Sequence, residues 1–327
     1  MRHKTTFTCI GAFVALLGTA NASWAGHGRP GSLLLFPEYD TVPGRVTVLT
    51  VTNSSLDDPI NAQFQYIGRG VGGGPCFEFN RIEFLTPGDT FTTLAQFHNP
   101  TQERGFVYVE AEDPNSFGVS IAFNHLIGAS TLIDGVAMHQ YSLEPYSFLG
   151  ISGGEGAPTD INGNGRADLD GNEYEPAADT ILVPRFLASG RQFQSDLILL
   201  NLTFTTQGMA SVDSLVWNDN EEVFSTEYTF NCWDRVPLTA ISGLFMNEFL
   251  RNFTNNDPAE VIGLPGQESG WFNLSGSEVA TSLVTVADPT ILAVLVETSP
   301  KGGASATLPF ETGVRDTGSL IQFNAIE

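Results

Sequence analysis

Apolar residues in this chain come in short runs that rarely persist beyond eight or so positions. Arg45-Val-Thr-Val-Leu-Thr-Val-Thr52, Gly105-Phe-Val-Tyr-Val109 and Val119-Ser-Ile-Ala-Phe123 are rich in β-branched and aromatic residues, and clusters of Gly, Pro, Asn and Asp separate such runs. β-Branched and aromatic side chains fit a pleated, half-buried surface, so this punctuation reads as strand and turn. Helical periodicity is scarce, and Leu244-Phe-Met-Asn-Glu-Phe-Leu250 is the best candidate for a short helix. With 34 glycines and 18 prolines the chain is interrupted too often for long helices. The predicted class is all-β.

The pattern is also written twice. Ser32-Leu-Leu-Leu-Phe-Pro37 is echoed by Thr180-Ile-Leu-Val-Pro184, and the apolar strand ending at Asn53 by one ending at Asn201. Further on, Cys76-Phe-Glu matches Cys232-Trp-Asp, Glu103-Arg-Gly-Phe-Val matches Glu268-Ser-Gly-Trp-Phe, and Asp113-Pro114 matches Asp288-Pro289. The order of the matches is kept while insertions lengthen the second copy, as in a weak internal duplication. Each half holds enough short strands to close into two stacked sheets, which is how such strands bury their apolar sides. The expectation is two tandem β-sandwich domains, 26–150 and 180–327, joined by a linker over 151–179. The matches also place Cys76 and Cys232 on equivalent strands or strand ends, and make Trp233 and Trp271 the core counterparts of Phe77 and Phe106.

The linker carries the one motif with sharp spacing, Asp160-Ile-Asn-Gly-Asn-Gly-Arg-Ala-Asp-Leu-Asp-Gly-Asn-Glu173. Oxygen-bearing side chains fall at positions 1, 3, 5 and 9 and glycine at position 6, the order in which a short loop wraps a hard cation. Here the chain resembles the calcium loops of EF-hand, dockerin and thrombospondin type 3 repeats. The resemblance implies a calcium cofactor, with Asp160, Asn162, Asn164 and Asp168 offering side-chain oxygens, Arg166 its carbonyl, and Gly165 the sharp turn. Position 12, the bidentate carboxylate of an EF-hand, is Gly171, so Asp170 or Glu173 must substitute. No bracketing helices flank the loop, which argues against a sensor.

The chain opens on Arg2, His3 and Lys4, an apolar stretch from Phe7 to Leu17 and a small-residue segment through Ala25. This tripartite layout predicts a signal peptide over 1–25, cut after Ala22 or Ala25. The apolar stretch is shorter than the roughly 20 residues needed to span a bilayer. The expected location is secreted, periplasmic or cell-surface, where disulfides persist; Cys76 and Cys232 either bridge the halves or are separately buried. The formal net charge is −23, and loss of the leader removes two basic residues and no acidic one. Such a surface repels phosphate backbones and attracts cations, which excludes nucleic acid as a natural partner.

Catalytic patterns are present only as letters. Gly150-Ile-Ser-Gly-Gly154 fits a nucleophile elbow, but a glycine-rich linker follows where a helix is required, and no histidine occurs after His139. Gly68-Arg-Gly-Val-Gly-Gly73 fits a dinucleotide fingerprint, but Pro75 and a strand pattern follow; it reads as a hairpin loop. His27, His98, His125 and His139 lack metal-ligand spacing. Carboxylates such as Glu110, Glu112 and Asp113 are plentiful, and a glycosidase needs only a suitable pair. Trp217 is the one tryptophan left as a candidate for stacking on a sugar face. The expected function is a structural or binding protein with a calcium-stabilised interdomain linker and a glycan or protein ligand. The alternatives are a carbohydrate-binding module and an extracellular hydrolase using a carboxylate pair.

Overall fold

The computed structural model describes residues 28–70, 74–190, 192–203, 209–277, 279–280, 285–286, 290–313 and 318–319. The expected signal peptide and the Asp288-Pro289 match lie outside these residues. Strands follow the apolar runs: β1 (Leu33–Asp40), β2 (Arg45–Asn53), β3 (Ile60–Gly70), β4 (Cys76–Leu85), β5 (Thr90–Leu94), β6 (Gln102–Glu112), β7 (Leu126–Asp134), β8 (His139–Leu143) and β9 (Tyr146–Phe148). The linker contributes β10 (Asp168–Leu169). Then come β11 (Thr180–Leu187), β12 (Gln194–Asn201), β13 (Met209–Asn218), β14 (Val223–Asn231), β15 (Trp233–Pro237) and β16 (Ser269–Ser277). The short pair β17 (Val279–Ala280) and β18 (Thr285–Val286) precedes β19 (Ile291–Ser299), β20 (Gly303–Thr307) and β21 (Phe310–Thr312), and β22 (Gly318–Ser319) pairs back with β10. In place of the one helix expected at 244–250 there are two single turns, Gly243–Phe245 and Asn247–Leu250, because Met246 between them is extended (φ −89, ψ 140).

Each copy is a two-sheet antiparallel sandwich. The first sets a five-stranded sheet β4-β3-β6-β1-β9 against β5-β2-β7-β8; the second sets β14-β13-β16-β11-β21 against β15-β12-β19-β20. The strand orders agree position for position, so the duplication is a property of the fold. Even the irregularities repeat. The pairing of β1 with β6 shifts between Phe36 and Tyr39, and that of β11 with β16 between Val183 and Phe186. Each shift spans a proline, Pro37 or Pro184, which has no N–H to give the ladder and is accommodated at a bulge.

Two expectations are corrected by the register. Cys76 opens β4, whose counterpart β14 begins at Val223, whereas Cys232 lies between β14 and β15; the cysteines are not equivalent. Trp233 faces Leu200 as Thr90 faces Thr52, so its counterpart is Thr90 and not Phe77. The local letters matched because each cysteine precedes an aromatic and an acid, a coincidence that strand register overrules. Cys76 and Cys232 nevertheless form a disulfide between the copies, with Cα atoms 6.5 Å apart.

Among the described residues three apolar cores hold the fold. One fills the first sandwich around Leu34, Phe36, Phe64 and Val109, and another the second around Ile181, Val183, Leu197 and Phe272. The third fills the seam between them: Leu33, Leu35, Phe106, Tyr108 and the edge residues Tyr141 and Leu143 meet Ile198, Leu200, Leu292, Val294 and Val296. Strands β1, β12 and β19 are thus buried on both faces, which is why they read as unbroken apolar runs. Covering decides the chemistry of equivalent positions. Thr50 and Thr52 on the uncovered first copy correspond to Ile198 and Leu200 in the seam, and Phe106 in the seam to Trp271, which is 38% exposed. Trp271 is therefore not the core residue expected; Trp233 is buried, and its Nε1 donates to the Pro37 carbonyl at 2.9 Å.

Polar groups also cross the seam. The Arg235 guanidinium lies 3.0 Å from Glu38 and 3.2 Å from Asp196 and donates to the Tyr141 hydroxyl at 2.6 Å, while that hydroxyl donates to Glu38. Tyr146 donates to the Ala293 carbonyl at 2.7 Å.

Candidate functional site

The segment after β9 is stitched into the seam. Ala167, Leu169, Tyr174 and Ala177 belong to the seam core, the Tyr174 hydroxyl lies 3.1 Å from Thr159 Oγ1, and Glu175 accepts from Leu149 N at 3.0 Å while pairing with Arg29. These anchors hold both ends of the calcium-type loop and leave its tip, 161–165, exposed.

Within the loop the side chains bind one another. Asp160 accepts from the amides of Asn164 at 3.0 Å and Gly165 at 2.9 Å. Gly165 sits at φ 71°, a backbone region that glycine enters without strain, and so permits the turn. Asn162 Oδ1 accepts from Asn164 N at 2.9 Å and Asn164 Oδ1 from Arg166 N at 2.8 Å, while both Asn side-chain amides donate to Asp168, at 2.7 and 3.0 Å. Glu173 returns to the loop: Oε1 accepts from Ile161 N at 3.0 Å and Oε2 from Asp168 N at 3.2 Å. Asp170 turns away, accepting from Asn172 N at 2.8 Å and its side-chain amide at 2.9 Å. Of the two substitutes for the missing position 12, the fold brings Glu173 to the loop and leaves Asp170 in its own turn. Arg166 lines a neighbouring cleft. Among the described residues no three His, Cys, Asp or Glu side chains gather into a metal-holding group. Asn162 and Asn164 present their amide nitrogens to Asp168 while their oxygens bind backbone amides.

The cleft, about 480 Å³, lies where this loop leans over the polar half of the first copy's five-stranded sheet. Side chains alternate across β6, so Phe106, Tyr108, Glu110 and Glu112 share a face. The first two enter the seam core; the two glutamates line the cleft with Gln63 and Glu78. Glu110 is 4% exposed, and its Oε2 accepts from Ser120 Oγ at 2.8 Å while Oε1 has no partner. Burial, opposed by the Ser120 bond and reinforced by Glu112, Glu78 and Glu173, raises its pKa to about 7. Glu112 is also raised by burial, and one of its oxygens lies 2.7 Å from the Gln63 amide nitrogen, with that amide turned so its NH₂ faces the carboxylate.

Compared with protein-family models, curated proteins and solved structures, the chain matches none. Its function is argued from its own geometry.

That geometry disposes of two letter patterns. Ser152 donates to the Pro158 carbonyl at 3.0 Å, with no base bonded to it among the described residues, and Gly68 and Gly70 lie among the last residues of strand β3. His98 is buried against the Tyr66 hydroxyl at 2.7 Å and Glu83 at 3.2 Å, while His125 lies 3.6 Å from Glu155. Trp217, the sugar-stacking candidate, pairs with Trp271 across β13 and β16, ring centroids 3.9 Å apart and planes 4° from parallel. The pair lies on the uncovered face of the second copy. Sequence reading missed Glu78 and the convergence of Glu110 with the loop; the signal that could have found them is Tyr108-Val-Glu110-Ala-Glu112, two acids on the same face as a core aromatic.

Proposed function

We propose that the chain is an exported calcium-stabilised binding or scaffold protein, in which a cation held by the loop 160–173 fixes the loop over the seam between the sandwiches. The return of Glu173 to the loop carries this reading, because it supplies the carboxylate that the spacing lacked. Asp160, Asn162, Asn164, Asp168 and Glu173 would hold the ion. Because Asp160, Asp168 and Glu173 do not gather in this structure and would have to regroup around the ion beside neutral amides, affinity belongs to the weak extracellular class, about 10⁻⁴ to 10⁻³ M. When free calcium equals the dissociation constant, the gain in global stability is only about 0.4 kcal/mol. The effect is local, on an exposed tip between packed ends. Calorimetric titration with calcium tests it: a millimolar-range isotherm abolished by the double change Asp160→Ala and Asp168→Ala is expected, and no calcium heat in the wild type overturns it.

The Trp217–Trp271 pair favours a second reading, a glycan ligand on the uncovered face of the second copy, since an exposed indole face stacks on sugars. On a glycan array, selective binding lost in Trp271→Ala supports this reading; an array empty for the wild type removes it.

A further inference from the structure

The cleft beneath the loop holds an unsatisfied group that neither reading uses. Glu110 is buried, one of its oxygens is bonded to Ser120, and the other meets nothing. A buried carboxylate oxygen without a donor is costly, and the duplicated copy shows that the fold does not require it. Register equates Glu110 with Ser275, Glu112 with Ser277 and Glu78 with Val223. The same sheet face in the second copy carries its acids, Asp213 and Glu227, on the neighbouring strands and exposed, with no buried carboxylate at the place of Glu110. Burial of the acids is particular to the first copy, where Glu110 and Glu112 lie beneath the loop.

When Glu110 is ionised, its free oxygen calls for a donor, and a cationic donor suits a cleft walled by several other carboxylates. Glu78, Glu110, Glu112 and Asp160 line the cleft with Arg166 as the one cationic side chain. The space, about 480 Å³, is that of an organic molecule and far exceeds a bare ion. We infer that this cleft binds a primary ammonium group, seated on the unpartnered oxygen of Glu110 and carried by a small amine or by a lysine side chain. An ammonium offers three donors and no acceptor, which matches walls of carboxylate and amide oxygens.

The inference is independent of calcium, and the test is run both at millimolar calcium and in chelator. The probes are 1,4-diaminobutane, a peptide acetylated at its N-terminus and carrying one free lysine side chain, and a neutral disaccharide, titrated calorimetrically into the full chain at neutral pH. A saturable isotherm with either amine, weakened about tenfold or more in Glu110→Gln, supports the inference, and the better amine identifies the source. Glu110→Gln keeps the side chain's shape; should it fail to fold by circular dichroism, Glu112→Gln at the same wall carries the same expectation. The inference is overturned if neither amine binds the wild type, if both variants bind as the wild type does, or if the disaccharide binds and the amines do not.

Discussion

Glu38 and Glu110 are both buried glutamates of the first copy, and they differ in what meets them. Glu38, thrown inward by the bulge after Pro37, is met by Arg235 and Tyr141 from across and beside the seam. Removing the guanidinium leaves that carboxylate buried and unpaired, so Arg235→Ala should destabilise the chain by about 3–5 kcal/mol, and Arg235→Ala combined with Glu38→Gln by less; urea unfolding of the three variants checks this. Glu110 meets no cation, and its folded pKa lies above the ordinary glutamate value, at about 7. A group so raised binds its proton more tightly folded than unfolded. Its contribution is full below the ordinary pKa and is lost as pH rises through 7. Glu110→Gln should therefore flatten the fall in melting temperature between pH 5 and pH 8, and parallel profiles for wild type and variant would refute this. Single residues also mark the limit of sequence reading: Asp170 and Glu173 were equivalent on paper, and only the packing of Tyr174 beside Glu173 turns one of them inward.

At the scale of elements, the strands and the duplication were legible because strand chemistry is periodic and local, and Pro37 and Pro184 even marked the matched bulges. What was not legible was register, which depends on partners far along the chain. Trp271 was expected in the core because Phe106 is; the two occupy the same place in the same strand and differ in whether another sheet covers them. The unbroken run of β1 gave a strand, but its burial on two sides needs a second sandwich that the run cannot name. Glycine opposite the bulge is a further matched device. At Gly270 a Cβ would lie 2.3 Å from the Trp217 carbonyl oxygen and 2.8 Å from the Phe186 ring, and backbone in a paired strand cannot retreat. Gly270→Ala should cost about 1–3 kcal/mol, read by denaturant unfolding, and should disturb the Trp217–Trp271 stack, visible in near-ultraviolet circular dichroism.

At the scale of the molecule, the linker turned out to be a packed part of the joint and not its hinge. The seam has an apolar core of its own together with the Cys76–Cys232 bridge. The bridge encloses a long stretch of chain, sequence separation 156, and in the chain-entropy account such loops contribute several kcal/mol, about 2–4 in typical cases. Replacing both cysteines by serine should lower the melting temperature yet leave one calorimetric transition, because the seam still couples the two sandwiches. Two resolved transitions would show that the bridge, and not the packing, unites them.

The exchange of Ile198 and Leu200 for Thr50 and Thr52 has a meaning for growth. The seam joins unlike faces, a five-stranded one to a four-stranded one, and an operation of that kind does not close on itself; repeated, it makes a filament. The second copy still offers its five-stranded face with Trp217 and Trp271, and the face that would receive it on a neighbouring molecule is the first copy's hydroxyl ladder, Thr50 beside Thr92 at 3.1 Å and Thr52 beside Thr90 at 2.8 Å. A polar ladder at that place disfavours such growth, as the polar outer face of a capping unit does in a stacked array. Writing the second copy's residues into the first, Thr50→Ile with Thr52→Leu, should promote head-to-tail assembly, read in the ultracentrifuge as sedimentation that rises with concentration more steeply than the wild type's.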